Sequence, residues 1–149
     1  MSKRWYQENR RDPWRREARS KGYRARSAYK LKQIQDKFGI IRKGDSVLDV
    51  GCHPGGWTQV AVEEVGENGF VYAIEPDPNN LGLLRSNITE NNFDDRCEII
   101  ECAMSDEDGE LSFWMAEAGP NLSSVQKTKH STKEIVVPSY TLNTFLKDG

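Results

Sequence analysis

The chain has 149 residues, 36% of them hydrophobic and 30% charged, which suits a single domain with a small core and argues against disorder. No apolar run approaches the ~20 residues that a membrane span needs. The first 32 residues hold no apolar core of the secretory kind, so a cytoplasmic protein with no membrane partner is expected. The net charge of −2 hides a division: residues 1–32 hold twelve of the 21 Lys and Arg but three of the 23 acids. Residues 33–149 are left with nine basic and twenty acidic residues.

That asymmetry divides the chain into a basic arm, 1–32, which includes the start of the first helix, and an acidic body, 33–149. The arm interleaves Trp5, Tyr6, Trp14, Tyr23 and Tyr29 with Arg4, Arg10, Arg11, Arg15, Arg16, Arg24 and Arg26. Guanidinium groups neutralise phosphates and aromatic faces stack on unpaired bases, so the arm reads as a nucleic-acid contact. The bland alternative is an arm that packs its cations on the acidic body.

In chain order, "RSAYKLKQIQDKFG" predicts a helix with Ala28, Leu31, Ile34 and Phe38 on one stripe, Ser27 as its cap and Gly39 at its end. "DSVLDV" predicts a strand and "TQVAVEEVG" a helix closed by Gly66. "GFVYAIEP" predicts a strand apolar on both faces, as in a parallel sheet covered by helices. "NNLGLLRSNITENN" predicts a helix with Leu81, Leu84 and Ile88 on one stripe, and "CEIIECAM" a third strand. Strand, helix, strand, helix, strand is the order of a doubly wound α/β fold. After a turn at "SDEDGE" the pattern changes: "LSFWMA" and "EIVVPSY" predict an antiparallel hairpin around the polar loop "GPNLSSVQKTKHST", and "TLNTFLKDG" begins a helix. Three parallel strands leave the first of them with a bare apolar edge, so the isolated chain is expected to self-associate or to be marginally stable.

The chemistry concentrates in "VLDVGCHPGGWTQV", residues 47–60. From Gly51 to Thr58 it has the spacing of a phosphate-binding P-loop, but Trp57 stands where the lysine belongs, which argues against nucleoside triphosphate hydrolysis. A dinucleotide turn would need glycine at His53, where the backbone approaches a pyrophosphate, and that argues against NAD. A nucleoside ligand without a phosphate chain remains. Glu75, at the end of the second strand, can accept hydrogen bonds from ribose hydroxyls. Gly51, Gly55 and Gly56 let the backbone come close, with amides at a helix start free for a small carboxylate. S-adenosylmethionine has these parts. Gly51, Gly55, Gly56 and Glu75 are therefore expected cofactor contacts, with Asp49 and His53 of the same strand and turn beside them.

The segment "VLDVGCHPGGWTQVAVEEVG", with "KRWYQENRRDPWRREARSKGYRARSAYKLKQIQDKFGIIRKGD" before it, resembles FtsJ-type ribosomal RNA ribose 2′-O-methyltransferases, its upstream part resembling archaeal members. The resemblance implies a Rossmann-like methyltransferase fold, S-adenosylmethionine as cofactor and ribosomal or other structured RNA as partner. It also implies cofactor contacts at Gly55 and Trp57. Lys30 in "SAYKL" matches the first lysine of that family's Lys-Asp-Lys-Glu catalytic set. Downstream, "VYAIEPDPNNLGLLRSNITENN", "AMSDEDGELSFW" and "VPSYTLNTFL" resemble FkbM-type methyltransferases, which implies the same cofactor with Glu75 on its ribose. Ala103 stands near the place where FtsJ-type enzymes carry an adenine-binding aspartate. By either likeness more strands would follow residue 149, so the fold is expected to be incomplete: three parallel strands plus a C-terminal antiparallel hairpin, with a basic N-terminal helical arm.

Methyl transfer to a hydroxyl needs alignment and help in losing a proton. On a helical wheel Lys30 lies at the edge of the apolar stripe, from which it can reach a cleft, whereas Lys32 points away. The alternative for Lys30 is an ordinary solvated helix lysine. Cys52, Cys97 and Cys102 have neither a disulfide framework nor, with His53 and His130, a zinc spacing, so no metal is expected. Three functions follow: an RNA ribose methyltransferase, an FkbM-like O-methyltransferase of a small molecule or glycan, and a non-catalytic module that binds cofactor or RNA.

Overall fold

The structure, a computed structural model, describes residues 20, 22, 26–116 and 123–147, with the backbone alone at Arg26 and Lys147. Helix α1 (Arg26–Phe38) leads into β1 (Ser46–Val50), α2 (Gly56–Val65), β2 (Phe70–Ile74), α3 (Pro78–Glu90) and β3 (Cys97–Ile100). The chain then forms β4 (Ala103–Met104), β5 (Gly109–Met115), β6 (Lys133–Tyr140) and α4 (Leu142–Lys147). No helix among the described residues is long and apolar enough to cross a membrane.

Strands β1, β2 and β3 lie side by side in that order, all parallel, with Ser46 opposite Phe70 and Val71 opposite Cys97. Parallel neighbours need crossovers, and α2 and α3 supply them on one face of the sheet. Val62, Val65, Leu84, Ile88 and Phe93 meet Val71, Ala73 and Cys97 in one buried cluster, with Val47 and Ile99 packed against it. The α3 stripe of Leu81, Leu84 and Ile88 is buried as expected. Its start lies one residue earlier than the sequence reading, because Asp77 caps the Asn79 N–H at 2.9 Å and Pro78 takes the first turn.

The first helix spans the expected residues and stops where Gly39 takes a φ of 57°. Two details differ. Arg26 rather than Ser27 begins it, so Ser27 is not its cap. Only the N-terminal half of the stripe is buried: Ala28 and Leu31 pack on Val60, while Ile34 and Phe38 are exposed. The C-terminal half meets α2 through polar groups instead, Lys32 Nζ to Glu64 at 2.6 Å and Gln35 Nε2 to Glu64 at 3.3 Å.

"CEIIECAM" is not one strand. Cys102 N–H turns back to Ile100 O at 3.0 Å, and Ala103–Met104 leave for a second sheet of order β4-β6-β5. There β5 and β6 form the expected antiparallel hairpin, from Gly109 opposite Ser139 to Met115 opposite Lys133. Phe113, Met115, Val137 and Ala103 make its own small core. Ala103 is thus a core residue of the second sheet.

Candidate functional site

The turn residues and Glu75 converge at the C-terminal ends of β1 and β2, where ligands bind in open α/β sheets. The turn is tied to β2: Gly51 N–H donates to Ile74 O at 2.9 Å and Cys52 N–H to the same oxygen at 3.3 Å. Gly51 has a φ of 73°, and a Cβ there would meet nothing within 4 Å, so the backbone faces open space. Gly55 has a φ of 94° and is buried, and a Cβ there would stand 3.1 Å from Leu84 Cδ1. Its bare Cα lets α3 pack against the turn, as the third glycine does in dinucleotide folds. Gly56 opens α2 and is buried. Trp57 is partly exposed and fastens α1 to the turn, its Nε1–H donating to Ser27 O at 2.8 Å.

Glu75 is 4% exposed and anchors the site. Its Oε1 accepts the Asp77 N–H at 2.9 Å and Asn80 Nδ2–H at 3.1 Å, and its Oε2 accepts the His53 N–H at 3.3 Å. A carboxylate has about four acceptor positions. Protein donors therefore hold Glu75 in place and leave one acceptor position open. Asp77 and Asn80 are themselves buried. Asp77 spends one oxygen on the α3 cap and the other on Ser123 Oγ–H, which in turn accepts the Ala116 N–H at 3.0 Å.

Asp49 receives Thr58 Oγ1–H at 2.6 Å. Burial pushes its carboxyl above the usual carboxylate range, against the opposing pull of the hydroxyl and the Thr58 N–H. His53 Nδ1 and Asn87 Oδ1 are buried with no hydrogen-bond partner among the described residues. The Asn87 amide, Nδ2–H, donates to Pro54 O and holds the turn from α3. An open backbone at Gly51, a buried carboxylate with one acceptor position left and an orphaned ring nitrogen beside it fit a ligand that carries hydroxyl and polar nitrogen groups.

Lys30 is exposed on α1. It lies three residues beyond the Ser27 carbonyl bound by Trp57, a rise of about 4.5 Å along the helix. Lys32 does not point away from the body. It pairs with Glu64 at 2.6 Å and Asp36 at 3.1 Å, and these bonds raise its pKa, Glu64 first. Cys52, Cys97 and Cys102 are buried, and burial pushes Cys97 up to about 12 and Cys52 higher still. Arg4, Arg10, Arg11, Arg15, Arg16, Arg24 and the side chain of Arg26 lie outside the described residues.

Sequence reading missed Thr58, Asp77, Asn80, Asn87 and Ser123. "DP" at 77–78 was a legible helix-start signal for Asp77. Asn87 and Ser123 act across 33 and 46 residues, and no local pattern announces such pairs.

Strand order, glycine turn and terminal acid define the Rossmann-like fold of S-adenosylmethionine-dependent methyltransferases. The family model described as "FtsJ-like methyltransferase" matches residues 23–146. The chain belongs to that family, and the match runs through the segment that resembles the FkbM type. It is similar to the "Ribosomal RNA large subunit methyltransferase E" of Methanothermobacter thermautotrophicus, 35% identical over 136 residues, 87% of this chain and 62% of that protein. It is also similar to the protein so described in Methanothrix thermoacetophila, 41% identical over 120 residues, 80% of this chain and 46% of that protein. The chain thus spans about half to three-fifths of the length of these relatives. Among solved structures, a SAM-dependent methyltransferase from Aquifex aeolicus overlaps at a TM-score of 0.43 and 26% identity, covering 47% of this chain and 36% of that one.

Proposed function

We propose that this chain is the cofactor-binding part of an enzyme that transfers a methyl group from S-adenosylmethionine to a ribose 2′-hydroxyl of ribosomal RNA. Membership of the FtsJ-like family supports the reaction class, and relatives described as ribosomal RNA large subunit methyltransferases support the substrate. The observation that carries the reading is Glu75, buried at the end of β2 and held by three protein donors with one acceptor position left.

Bound S-adenosylmethionine would supply the electrophilic methyl group. Glu75 would hold a ribose hydroxyl. Gly51, Gly56 and the orphaned His53 Nδ1 would line the rest of the cofactor, with Trp57 at the rim, while Gly55 keeps the turn packed and Asp49 braces it through Thr58. Lys30 would orient the substrate hydroxyl and assist its proton loss. The arginines from Arg4 to Arg26 would neutralise RNA phosphates, which makes residues 1–32 the RNA-binding arm and 33–149 the cofactor-binding part. Cytoplasmic location accords with a ribosomal substrate. On its second edge β1 has no strand partner among the described residues, and Val50 there is 54% exposed. This edge would pair two copies of the isolated chain.

The test is transfer of a labelled methyl group to unmodified ribosomal RNA, with the product mapped by resistance of one phosphodiester to alkali. Label at a single alkali-resistant position that is lost in Lys30→Ala supports the reading. Label on a base overturns the ribose assignment. Cofactor binding with no transfer leaves a non-catalytic module.

A further inference from the structure

The acidic body has two stretches with three bases in seven positions and no acid among them, "KFGIIRK" at 37–43 and "KTKHSTK" at 127–133, and the second lies beside the cofactor site. Lys127, Lys129 and Lys133 fall within seven positions of "KTKHSTK" with no acid between them, a third of the nine Lys and Arg in 33–149. All three are exposed, and none is paired with a carboxylate among the described residues. Lys127 Nζ lies 4.8 Å from the centroid of the Trp114 ring.

The segment is built rather than loose. Thr128 N–H donates to Ser131 Oγ at 2.8 Å, His130 N–H to Thr128 Oγ1 at 3.2 Å and Ser131 N–H to Thr128 O at 3.1 Å, a turn that puts Lys129 and His130 at its tip. Thr132 N–H anchors the far side to Met115 O at 2.8 Å. The near side is fixed to the cofactor site. Ser124 bridges Trp114, and Ser123 Oγ–H donates to Asp77, whose own N–H holds Glu75. Asp77 is buried and its two oxygens are spent on the cap and on Ser123, so it does not neutralise the lysines. Glu134, opposite Trp114 on β6, is the described acid next to them in sequence.

We propose that residues 124–133 form a second RNA contact beside the cofactor site, separate from the N-terminal arm. The three lysines take phosphates, and the Trp114 face is available to a base once Lys127 swings to the backbone. Combined lysine and aromatic surfaces bind single strands in this way. The proposal rests on the RNA reading above and adds the surface that presents the nucleotide to the site.

The test uses the full chain, a fluorescent unmodified single-stranded ribosomal RNA oligonucleotide and anisotropy titrations from 50 to 200 mM salt. Lys127→Gln/Lys129→Gln/Lys133→Gln should make the slope of log affinity against log salt shallower by about 2, at ~0.7 per phosphate contact on single strands. The corresponding triple Lys→Arg variant should keep the original slope. Calorimetry with S-adenosylhomocysteine should be unchanged in both, which shows that the fold is intact. Wild-type binding with an unaltered slope in the Gln variant overturns the second contact and leaves the RNA reading standing. No binding by the wild-type chain overturns the RNA reading and this inference with it.

Discussion

The two faces of the parallel sheet are built from the same strands and meet different fates. On one face Val47, Val71, Ala73, Cys97 and Ile99 lie under α2 and α3, in a cluster sealed by Val65, Leu84 and Ile88. On the other, the alternating positions Leu48, Val50, Tyr72 and Ile100 have no crossover helix over them among the described residues. Leu48, Tyr72 and Ile100 look across a cavity of about 600 Å³ at Tyr140, Phe145 and Leu146 of β6 and α4. Composition separates the two faces little, since both are mainly apolar, with Asp49 on the covered side and Ser46 and Glu98 on the other. What separates them is that right-handed crossovers put both connecting helices on one side. The covered face therefore holds the fold and aims the glycine turn, while the open face and the β1 edge carry no such cover among the described residues.

The sharpest way to break this contrast is a matched pair of truncations. Leu84→Ala should cost about 3–5 kcal/mol in urea unfolding, because Leu84 is fully buried and touches the turn at Gly55. Leu48→Ala, facing the cavity, should cost less than ~1 kcal/mol, since the hydrophobic term scales with area removed from water. Equal costs would abolish the distinction. Next, Gly55→Ala should cost roughly 1–3 kcal/mol, from a left-handed φ and a Cβ 3.1 Å from Leu84 Cδ1, and should weaken cofactor-analogue binding.

A smaller effect is expected at the edge. Val50→Lys should change stability by no more than ~0.5 kcal/mol. It should still shift the isolated chain toward monomer in sedimentation, because an edge lysine opposes strand pairing. Smaller still is a pH effect on the covered face. Burial raises the Cys97 thiol from 9.0 to about 12, so the fold favours the neutral form. That contribution is complete below pH 9 and is lost as pH rises toward 12. Thermal unfolding should show this loss, and Cys97→Ala should lessen it.

These contrasts also mark what the sequence could and could not tell. The order of strands and helices was legible because each is announced locally: β-branched runs, the Leu81–Leu84–Ile88 stripe, Gly39 and Gly66 at helix ends. Glu75 was legible as the polar residue that ends an apolar strand. The break in "CEIIECAM" was not, since both halves are apolar and only the path to the second sheet divides them. Lys32 was misread because a wheel fixes the direction of Cβ, whereas a four-carbon stem reaches Glu64 on α2. The donors that occupy Glu75 were hidden in part: Asn80 and Asp77 are local, but Asp77 is fastened in turn to Ser123, 46 residues on.

The central claim is that the turn and Glu75 form a working cradle in this chain, and calorimetric titration with S-adenosylhomocysteine tests it most directly. Saturable one-to-one binding that disappears in Glu75→Ala, with the thermal transition of the variant preserved, is the predicted result. A folded wild-type chain that releases no binding heat at any analogue concentration, or a Glu75→Ala variant that binds as tightly as wild type, would contradict it.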